Sequence, residues 1–463
     1  MKLFFYPSGI AVFGVANSPE NLARKIVQNC QDAGFRGNIY PIGKKSGDVY
    51  GRKIITNPKS VPPGADLAVI LVPASGVANI MKVCGEKGIR HVIISTAGFR
   101  EFNDKDNPAE RDVLAVAKKY GIRVIGPNCI GVICTHSGLC TSFNPMRPQF
   151  LKKGNISLIA QSGGVSTQAA YAFSEEDVGF SKIISVGNKL DINEIDLLEY
   201  LMRDEDTDQI HLYLESIEDG RALMKCAKEA KKPIILFKAN TGKTASVVAK
   251  SHTAALSNND KIVDGAMKQA GIMRVDNIHR MTVCAKALKL PPLRGDRLIA
   301  ISASGGLAVI LADLCEKYGF VCPEMPRHLL DKIEKKRRGG IIRMSNPMDC
   351  GDIYSMEGFL EAVEDCLAID NIDGAVISLM YNEEIFSMFQ ADPGQILGWI
   401  KDICRRTGKP ISISLFAERL HTEEFKKTGV FPVFNDTEES VCALRMLRNY
   451  WRARIEEGLN EAR

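Results

Sequence analysis

Short apolar segments alternate with amphipathic segments along the first third of the chain. The apolar segments have the length and composition of buried strands and lie at 10–15, 38–42, 67–72, 91–95 and 123–125. Between them, apolar residues recur with helical spacing at 21–33, 77–87 and 109–119. Strands that alternate with helices form βαβ units and a parallel sheet, so the pattern predicts an α/β fold.

Two proline-rich connectors interrupt this alternation and predict the domain organisation. They are Asn-Pro-Met-Arg-Pro-Gln at 144–149 and Leu-Pro-Pro-Leu-Arg-Gly at 290–295. We therefore expect domains at 1–143, 150–290 and 295–463, the first of them similar to a nucleotide-binding domain. The length of 463 residues agrees with about three domains of ~150 residues each.

The second and third predicted domains share a series of landmarks in the same order. Each has an apolar strand that runs into Ser-Gly-Gly, then a Gly-Phe pair, an Asn-x-x-Asp motif, and a Lys-Pro pair before another strand. The landmarks lie at 162–164, 179–180, 188–191 and 232–233, and again at 304–306, 319–320, 346–349 and 409–410. This self-similarity predicts a duplicated, open α/β domain.

The overall composition is that of a globular protein and excludes several classes of function. Hydrophobic residues make up 45% and charged residues 25%, and the net charge of +5 is spread without a long basic block. Nothing in it requires a nucleic-acid partner or an anionic membrane surface. No apolar run approaches the ~18 residues of a membrane span, and Pro7 interrupts the position of a signal-peptide core.

The thirteen cysteines are scattered, without a Cys-x-x-Cys pair. An odd number of cysteines in a long chain without an export signal is typical of reduced thiols in the cytoplasm, which is where we expect the protein. Cys129, Cys134 and Cys140 are the closest group, but their spacing matches no metal-ligand pattern. We expect no metal site in this chain.

The first strand runs into Gly14-Val-Ala-Asn-Ser18, where a parallel sheet presents a ligand crevice. A dinucleotide-binding fingerprint would need glycine at Ala16 and Pro19, and an acidic residue after the second strand. That strand instead ends in Lys44 and Lys45, which suit a ligand phosphate or, in the simpler interpretation, form a solvated turn. Polar turns also follow the strands at 72–74, 95–99 and 126–131. A nucleotide-like ligand other than NAD is therefore favoured.

Gln161-Ser-Gly-Gly-Val-Ser166 joins a strand to a helix and is a candidate anion site. Glycines let backbone N–H groups approach an anion, and the helix dipole stabilises negative charge there by ~0.3–1 kcal/mol. Because the motif occurs twice, it is equally explained as the way this fold joins a strand to a helix.

A loop rich in small and hydroxyl residues carries His252 and precedes a helical pattern at 260–269. This context suits a phosphohistidine carrier, although a lone loop histidine is commonly an ordinary surface residue. Glu215 ends the apolar strand at 210–214, where a carboxylate can orient an imidazole, with Glu218 and Asp219 as competing acids. The Thr-Gly-Lys-Thr at 241–244 lacks the first glycine of a P-loop, which disfavours a P-loop kinase.

Taken together, these motifs resemble the NDP-forming acyl-CoA synthetases. The resemblance rests on Ser-His-Thr-Ala-Ala-Leu at 251–256, Leu-Tyr-Leu-Glu-Ser-Ile at 212–217, Val-Gly-Asn at 186–188, Gln-Ser-Gly-Gly at 161–164 and Gly-Pro-Asn-Cys at 126–129. The ADP-forming acetyl-CoA synthetases are the most similar members, and succinyl-CoA synthetase is more distant. The resemblance implies a Rossmann-like CoA-binding domain followed by two flavodoxin-like domains, the architecture of an α subunit.

The resemblance also implies a reaction and its residues. Acyl-CoA and phosphate would give an acyl phosphate and free coenzyme A, and the phosphoryl group would pass through His252, held by Glu215, to ADP. Phosphate would bind at Ser162, Gly163 and Gly164, with Asn188 and Asp191 close by. Coenzyme A would contact the turns after the strands of the first domain, at Gly14, Ala16, Asn17, Ser18, Lys44, Val72, Pro73, Ser95, Pro127 and Asn128.

The nucleotide half of this family is an ATP-grasp module, for which the three predicted domains leave no room. We therefore expect a separate β subunit that binds ADP or ATP with Mg²⁺, in an αβ or α₂β₂ enzyme acting on a small carboxylic acid. Ala254 and Asn258 replace glycines of the usual histidine motif, and Pro19–Leu22 replace glycines of the first turn. A non-catalytic CoA-binding or acyl-CoA-binding subunit is the alternative. The sequence leaves the acyl group, the direction of the reaction and the choice of ADP over GDP open.

Overall fold

The structure, a computed structural model, describes residues 1–102, 107–247, 259–336, 344–351, 353, 355–381, 384 and 392–456. By its internal contacts the chain divides into two units, Met1–Met281 and Thr282–Arg463. Three largely parallel sheets organise the described residues, two in the first unit and one in the second. The predicted α/β class is confirmed.

The first sheet is formed by apolar strands buried on both faces, as expected for a parallel sheet with helices on either side. Its region contains β1 (Gly9–Phe13), β2 (Asn38–Ile42), the hairpin β3 (Asp48–Val49) and β4 (Arg52–Lys53), β5 (Leu67–Ile70), β6 (His91–Ile94) and β7 (Arg123–Ile125). The sheet order is β2-β1-β5-β6-β7, all parallel. The helices are α1 (Leu22–Asp32), α2 (Ala74–Glu86) and α3 (Pro108–Tyr120), with short 3₁₀ turns at Lys2–Phe4, Pro58–Ser60 and Arg100–Phe102.

The second sheet combines a five-stranded parallel core with an antiparallel hairpin at one edge. Its strands are β8 (Val132–Cys134), β9 (Leu139–Cys140), β10 (Lys153–Ala160), β11 (Phe180–Ser185), β12 (Gln209–Leu214), β13 (Ile234–Lys238) and β14 (Met273–Val275). The order is β14-β13-β12-β10-β11-β8-β9. The helices are α4 (Gly163–Glu175), α5 (Glu194–Met202), α6 (Gly220–Glu229), α7 (Asp260–Gln269) and α8 (Ile278–Ala287), after a 3₁₀ turn at Pro148–Phe150.

The hairpin β8–β9 shows that the first sheet ends before the predicted domain boundary. The sequence placed residues 132–140 within a first domain at 1–143, yet β8 pairs antiparallel with β11 of the second sheet. The hairpin covers an edge that would otherwise expose unpaired backbone groups. The domain boundaries as such stay a prediction.

The third sheet repeats the parallel core of the second. It contains β15 (Leu298–Ser302), β16 (Met348–Asp349), β17 (Gly374–Met380), β18 (Ile411–Phe416) and β19 (Val433–Phe434) in the order β16-β15-β17-β18-β19. Its helices are α9 (Gly305–Lys317), α10 (Arg327–Glu334), α11 (Met356–Leu367), α12 (Pro393–Thr407), α13 (Arg419–Lys427) and α14 (Thr437–Glu456).

The same strand order in the two sheets supports the predicted duplication. Ser162 and Ser304 cap α4 and α9 in the same way, since each hydroxyl accepts a hydrogen bond from the backbone N–H three residues later. The Asn-x-x-Asp landmark is not equivalent in the two copies. Asn188 follows β11, whereas Asn346 precedes β16. Among the helices of the described ranges, none is both long and apolar enough to cross a membrane.

A buried charge network joins the amino-terminal residues to the second sheet. The ammonium group of Lys182 is fully buried and lies 2.6 Å from Asp204 Oδ2. It also lies over the rings of Phe5 and Tyr6, at 5.7 and 5.4 Å from their centroids, and the Tyr6 hydroxyl donates to Asp206. Apolar residues of the first two sheets belong to one continuous core.

Replacement of Asp204 should therefore destabilise the first unit. In Asp204→Ala, the Lys182 ammonium stays buried with only the carboxylate of Asp206, at 3.9 Å, as a charged partner. We expect the free energy of unfolding, measured by urea denaturation, to fall by about 3–5 kcal/mol. Asp264→Ala is the control, because Asp264 pairs with Arg274 at an exposed position and should change stability by no more than about 1 kcal/mol. Equal effects of the two substitutions would contradict this prediction.

Candidate functional site

All the predicted coenzyme A contacts follow strands of the first sheet and lie at one edge of it. Because β1, β2, β5, β6 and β7 are parallel, their carboxyl ends meet at the same edge, where open α/β sheets bind ligands. The residues concerned are Gly14, Ala16, Asn17, Ser18, Lys44, Val72, Pro73, Ser95, Pro127 and Asn128. The structure thus brings their loops together.

The loop after β1 is organised by Asn21, which the sequence analysis did not identify. The Asn21 side chain caps α1 by accepting from Arg24 N at 2.8 Å, accepts from Ala16 N at 3.1 Å, and donates to Gly14 O at 3.0 Å. Residues 16–18 are exposed on this fixed loop. An asparagine directly before a helix is a common capping signal, and it could have indicated this role.

The two lysines after β2 lie in a loop beside the loop after β1. Lys44 and Lys45 are exposed, and Gly43 packs so closely on the first loop that an added Cβ would lie 2.0 Å from Val15 O. Two exposed ammonium groups next to an exposed backbone loop suit a ligand that carries phosphate.

Thr96 connects the loops after β5, β6 and β7. Its hydroxyl accepts from Val72 N at 3.2 Å and donates to Val72 O at 2.8 Å, and its carbonyl accepts from Asn128 N at 2.9 Å. Pro73 is exposed, whereas Ser95 is buried near Cys129, and burial raises the pKa of the Cys129 thiol to about 12. The side chain of Ser95 therefore lies below the surface on which Ala16, Asn17, Ser18, Lys44 and Pro73 are exposed, and Pro127 is buried as well.

The loop after β7 also meets the loop after β11 of the second sheet. Asn188 N donates to Pro127 O at 2.9 Å, and Asn128 Nδ2 donates to Asn188 Oδ1 at 3.4 Å. The buried Asn188 side chain in turn donates to Glu101 Oε2 at 2.7 Å. Asn188 therefore links the edge of the first sheet to the second sheet, and Glu101 is a partner that the sequence did not reveal.

The carboxylate of Asp191 is engaged in structural contacts. It accepts from Arg123 Nε at 2.9 and 3.1 Å and from Val124 N at 2.7 Å. These contacts tie the loop after β11 to β7 of the first sheet. We therefore leave Asp191 out of the proposed phosphate site.

The amino terminus of α4 is capped and open. Ser162 Oγ accepts from Val165 N at 3.4 Å, and Gly163 packs on Ile130, since an added Cβ would lie 2.4 Å from Ile130 Cγ2. Gly164 faces open space, with Ser162 Oγ at 3.9 Å as the nearest atom to an added Cβ. A ligand can thus approach the positive end of this helix.

Glu215 and Ser216 form a turn directly after β12, close to Ser162. The buried side chain of Gln161 accepts from Glu215 N at 2.9 Å and from Ser216 N at 3.1 Å, and it donates to Ser216 Oγ at 3.2 Å. The Tyr213 hydroxyl is hydrogen-bonded to the Glu215 carboxylate. Burial and this nearby charge raise the pKa of Tyr213 to about 12.

His252 lies outside the described residues, so its geometry is not part of the site described above. The last described residues before His252, up to residue 247, follow β13. The carboxyl end of β13 lies at the same sheet edge as the carboxyl ends of β10 and β12. On the other side of His252 the described chain continues into α7, whose Asp260 pairs with Arg274 at 2.7 Å. Within the described ranges, no three metal-ligating side chains form a cluster.

Two family profiles match successive parts of the chain. Residues 8–135 match a CoA binding domain, and residues 153–288 match a succinyl-CoA ligase like flavodoxin domain. The first range contains all the loops at the edge of the first sheet. The second contains α4, Glu215 and His252.

A relative from Pyrococcus furiosus is similar over nearly the full length. It is named ADP-forming acetate–CoA ligase II subunit alpha and is 33% identical over 450 residues, which cover 96% of each chain. The chain belongs to the ADP-forming acetate–CoA ligase family. A longer family member from Archaeoglobus fulgidus, ADP-forming acetate–CoA ligase II, is 32% identical over 98% of this chain and 68% of its own length.

Solved structures agree with this family assignment. The dinucleotide-forming acetyl-coenzyme A synthetase 1 of Candidatus Korarchaeum cryptofilum, solved with phosphate and ADP, superimposes with a TM-score of 0.86 at 28% identity. The match covers 100% of this chain and 99% of that chain. The predicted ligase family, its CoA-binding and flavodoxin-like domains and its α-subunit character are confirmed.

Gly14→Ala should weaken coenzyme A binding by about tenfold or more. Gly14 has a φ of +98°, and an added Cβ would lie 2.0 Å from Leu71 O, so the loop after β1 has to move. A loss of one or two ligand hydrogen bonds, at about 1 kcal/mol each, gives this factor. Isothermal titration calorimetry would measure the dissociation constant of coenzyme A.

Gly34→Ala is the matched control for this variant. Gly34 also has a positive φ, of +80°, but an added Cβ would meet nothing within 4 Å. It should bind coenzyme A as the wild type does. Equal affinity in the two variants would place the coenzyme A site away from the loop after β1.

Proposed function

We propose that the chain is the α subunit of an ADP-forming acyl-CoA synthetase. The enzyme interconverts acyl-CoA, ADP and phosphate with a carboxylic acid, coenzyme A and ATP. The observation that carries this proposal is the position of Glu215, fixed beside the open amino terminus of α4. Asn188 contacts the coenzyme A edge of the first sheet, and its neighbour Lys189 donates to the Ser216 carbonyl beside Glu215, which connects the two sites.

In the first step, an oxygen of phosphate attacks the thioester carbonyl of acyl-CoA. The carbon–sulfur bond breaks, coenzyme A leaves as the thiol, and an acyl phosphate forms. We assign phosphate binding to Ser162, Gly163 and Gly164, because backbone N–H groups and the helix dipole stabilise its charge there. Asn188 holds the adjoining loops together.

In the second step, a ring nitrogen of His252 attacks the phosphorus atom of the acyl phosphate. The phosphorus–oxygen bond breaks, and the carboxylate leaves. Glu215 accepts a hydrogen bond from the other ring nitrogen and stabilises the positive charge that develops on the ring. The phosphohistidine then transfers its phosphoryl group to a β-phosphate oxygen of ADP, and every step is reversible.

We propose a separate ATP-grasp β subunit for the nucleotide half-reaction, in an α₂β₂ enzyme. It would bind ADP or ATP with Mg²⁺, since phosphoryl transfer depends on positioning and charge neutralisation. The name of the Pyrococcus furiosus relative supports a partner subunit, and the greater length of the Archaeoglobus fulgidus relative supports fusion of the two parts in some members. A cytoplasmic location is supported by the thirteen scattered cysteines, which include no Cys-x-x-Cys pair.

Labelling of His252 tests the proposal. Incubation with acetyl-CoA and [³²P]phosphate should place an acid-labile, base-stable label on His252, and other acyl-CoA thioesters should then identify the acyl group. His252→Ala should abolish the label and keep coenzyme A binding, while Glu215→Gln should slow labelling without loss of folding. A fully active His252→Ala variant would contradict the phosphohistidine route. Coenzyme A binding without any label would favour the non-catalytic subunit.

The phosphate site can be tested separately with Gly164→Ala. The added methyl group would stand at the open amino terminus of α4 without a clash, so folding should be unaffected and the KM for phosphate in the labelling reaction should rise several-fold. The equivalent Gly306→Ala in the second copy is equally free of clashes and should change nothing. An unchanged phosphate KM in Gly164→Ala would place the phosphate elsewhere.

A further inference from the structure

The backbone of Glu215 and Ser216 is held by buried side chains. The two N–H groups donate to Gln161, as described above. The carbonyl of Glu215 accepts from Lys238 Nζ at 2.9 Å, and the carbonyl of Ser216 accepts from Lys189 Nζ at 3.0 Å. Backbone groups in loops at a sheet edge are generally satisfied by water or by other backbone groups. Here three side chains satisfy all four groups.

Lys238 is the last residue of β13 and is only 4% exposed. Besides the Glu215 carbonyl, its ammonium group donates to the carbonyl of Ala239. Burial lowers the pKa of Lys238 to about 8, with further influence from the charges of Asp260, Arg274, Glu215 and Lys189. The ammonium form thus persists at neutral pH and donates both hydrogen bonds, although burial of a charge disfavours it energetically.

The third sheet shows that the fold does not need this lysine. Alignment of the two Ser-Gly-Gly turns makes Ala160 equivalent to Ser302. The strand registers then relate Glu215 to Met380 and Lys238 to Leu415. Gln161 corresponds to Ala303. Leu415 is buried like Lys238, so the same strand order forms with a leucine there.

Lys232, at the other end of β13, behaves differently. Its ammonium group donates to the carbonyls of Leu201 and Asp204 at 2.8 and 2.5 Å. The equivalent Lys409 in the second copy donates to the carbonyls of Leu367 and Ile369 at 2.7 and 2.8 Å. A lysine present in both copies with the same type of contact serves the fold, whereas Lys238 occurs only in the copy that carries Glu215.

We propose that Lys238 is a positioning residue that holds the Glu215 carbonyl and so fixes the Glu215 side chain for the hydrogen bond proposed above. This inference rests on the proposed function. Removal of the ammonium would leave the Glu215 carbonyl without this side-chain donor, while Gln161 and Lys189 still hold the other three backbone groups. A displacement of the carboxylate of the order of 1 Å is enough to slow a positioned reaction by about a hundredfold.

The test compares the rates at which the wild type and its variants are labelled by acetyl-CoA and [³²P]phosphate. Each rate is divided by the amount of protein that binds coenzyme A. Lys238→Leu, which introduces the residue of the second copy, should slow labelling by about 10- to 100-fold with unchanged phosphate KM and coenzyme A affinity. Lys238→Arg keeps a donor and should recover part of the rate. Lys232→Leu is the matched control and should lower stability while the folded fraction labels at the wild-type rate.

A double-mutant cycle separates positioning from a general structural effect. If Lys238 acts through Glu215, Lys238→Leu should have no further effect in a Glu215→Gln background. A multiplicative effect in that background, or a wild-type rate for the single variant, would overturn the inference and leave the proposed function intact. Absence of label in the wild type with acetyl-CoA and with the other acyl-CoA thioesters would overturn the proposed function, and this inference with it.

Discussion

Buried polar groups have to be hydrogen-bonded, and at the turn after β12 this requirement is met by side chains rather than by the sheet. Gln161 follows β10, Lys189 follows β11 and Lys238 ends β13, so each strand that surrounds the turn contributes one contact. The position of Glu215 therefore depends on the sheet as a whole. The backbone that carries this carboxylate is held before any reaction begins, and such preorganisation is the condition for effective electrostatic stabilisation.

The two flavodoxin-like sheets separate what the fold requires from what the site requires. Both keep the strand order, the serine cap before the helix and a lysine that binds two carbonyls before the fourth parallel strand. Only the second sheet of the chain has Gln161, Glu215 and Lys238, which correspond to Ala303, Met380 and Leu415 in the third. Because a common scaffold is stable with either set, the polar set is explained by chemistry and not by folding.

The strands of the first sheet were predictable because buried parallel strands are short, continuous apolar runs; 38–42 and 123–125 match the structure residue for residue. The hairpin at 132–140 was not predicted, since its pairing with β11 is a distant contact that no local pattern encodes. In the site, Ser162 and Glu215 follow from their position at strand ends. Asp191 matches the same pattern, yet the structure pairs it with Arg123, and a sequence does not show which partner an acidic residue finds.

The first two sheets share a core, and their ligand edges are joined by hydrogen bonds from Asn188 to Pro127, Asn128 and Glu101. Movement of the coenzyme A loops would therefore disturb the loop after β11, and through its neighbour Lys189 the turn that carries Glu215. Under the proposed function, the thioester carbonyl and the phosphate are thus positioned against each other by one packed body. Such fixed geometry favours the bimolecular attack of phosphate on the thioester, because the entropy of bringing the reactants together is lost on binding rather than in the transition state.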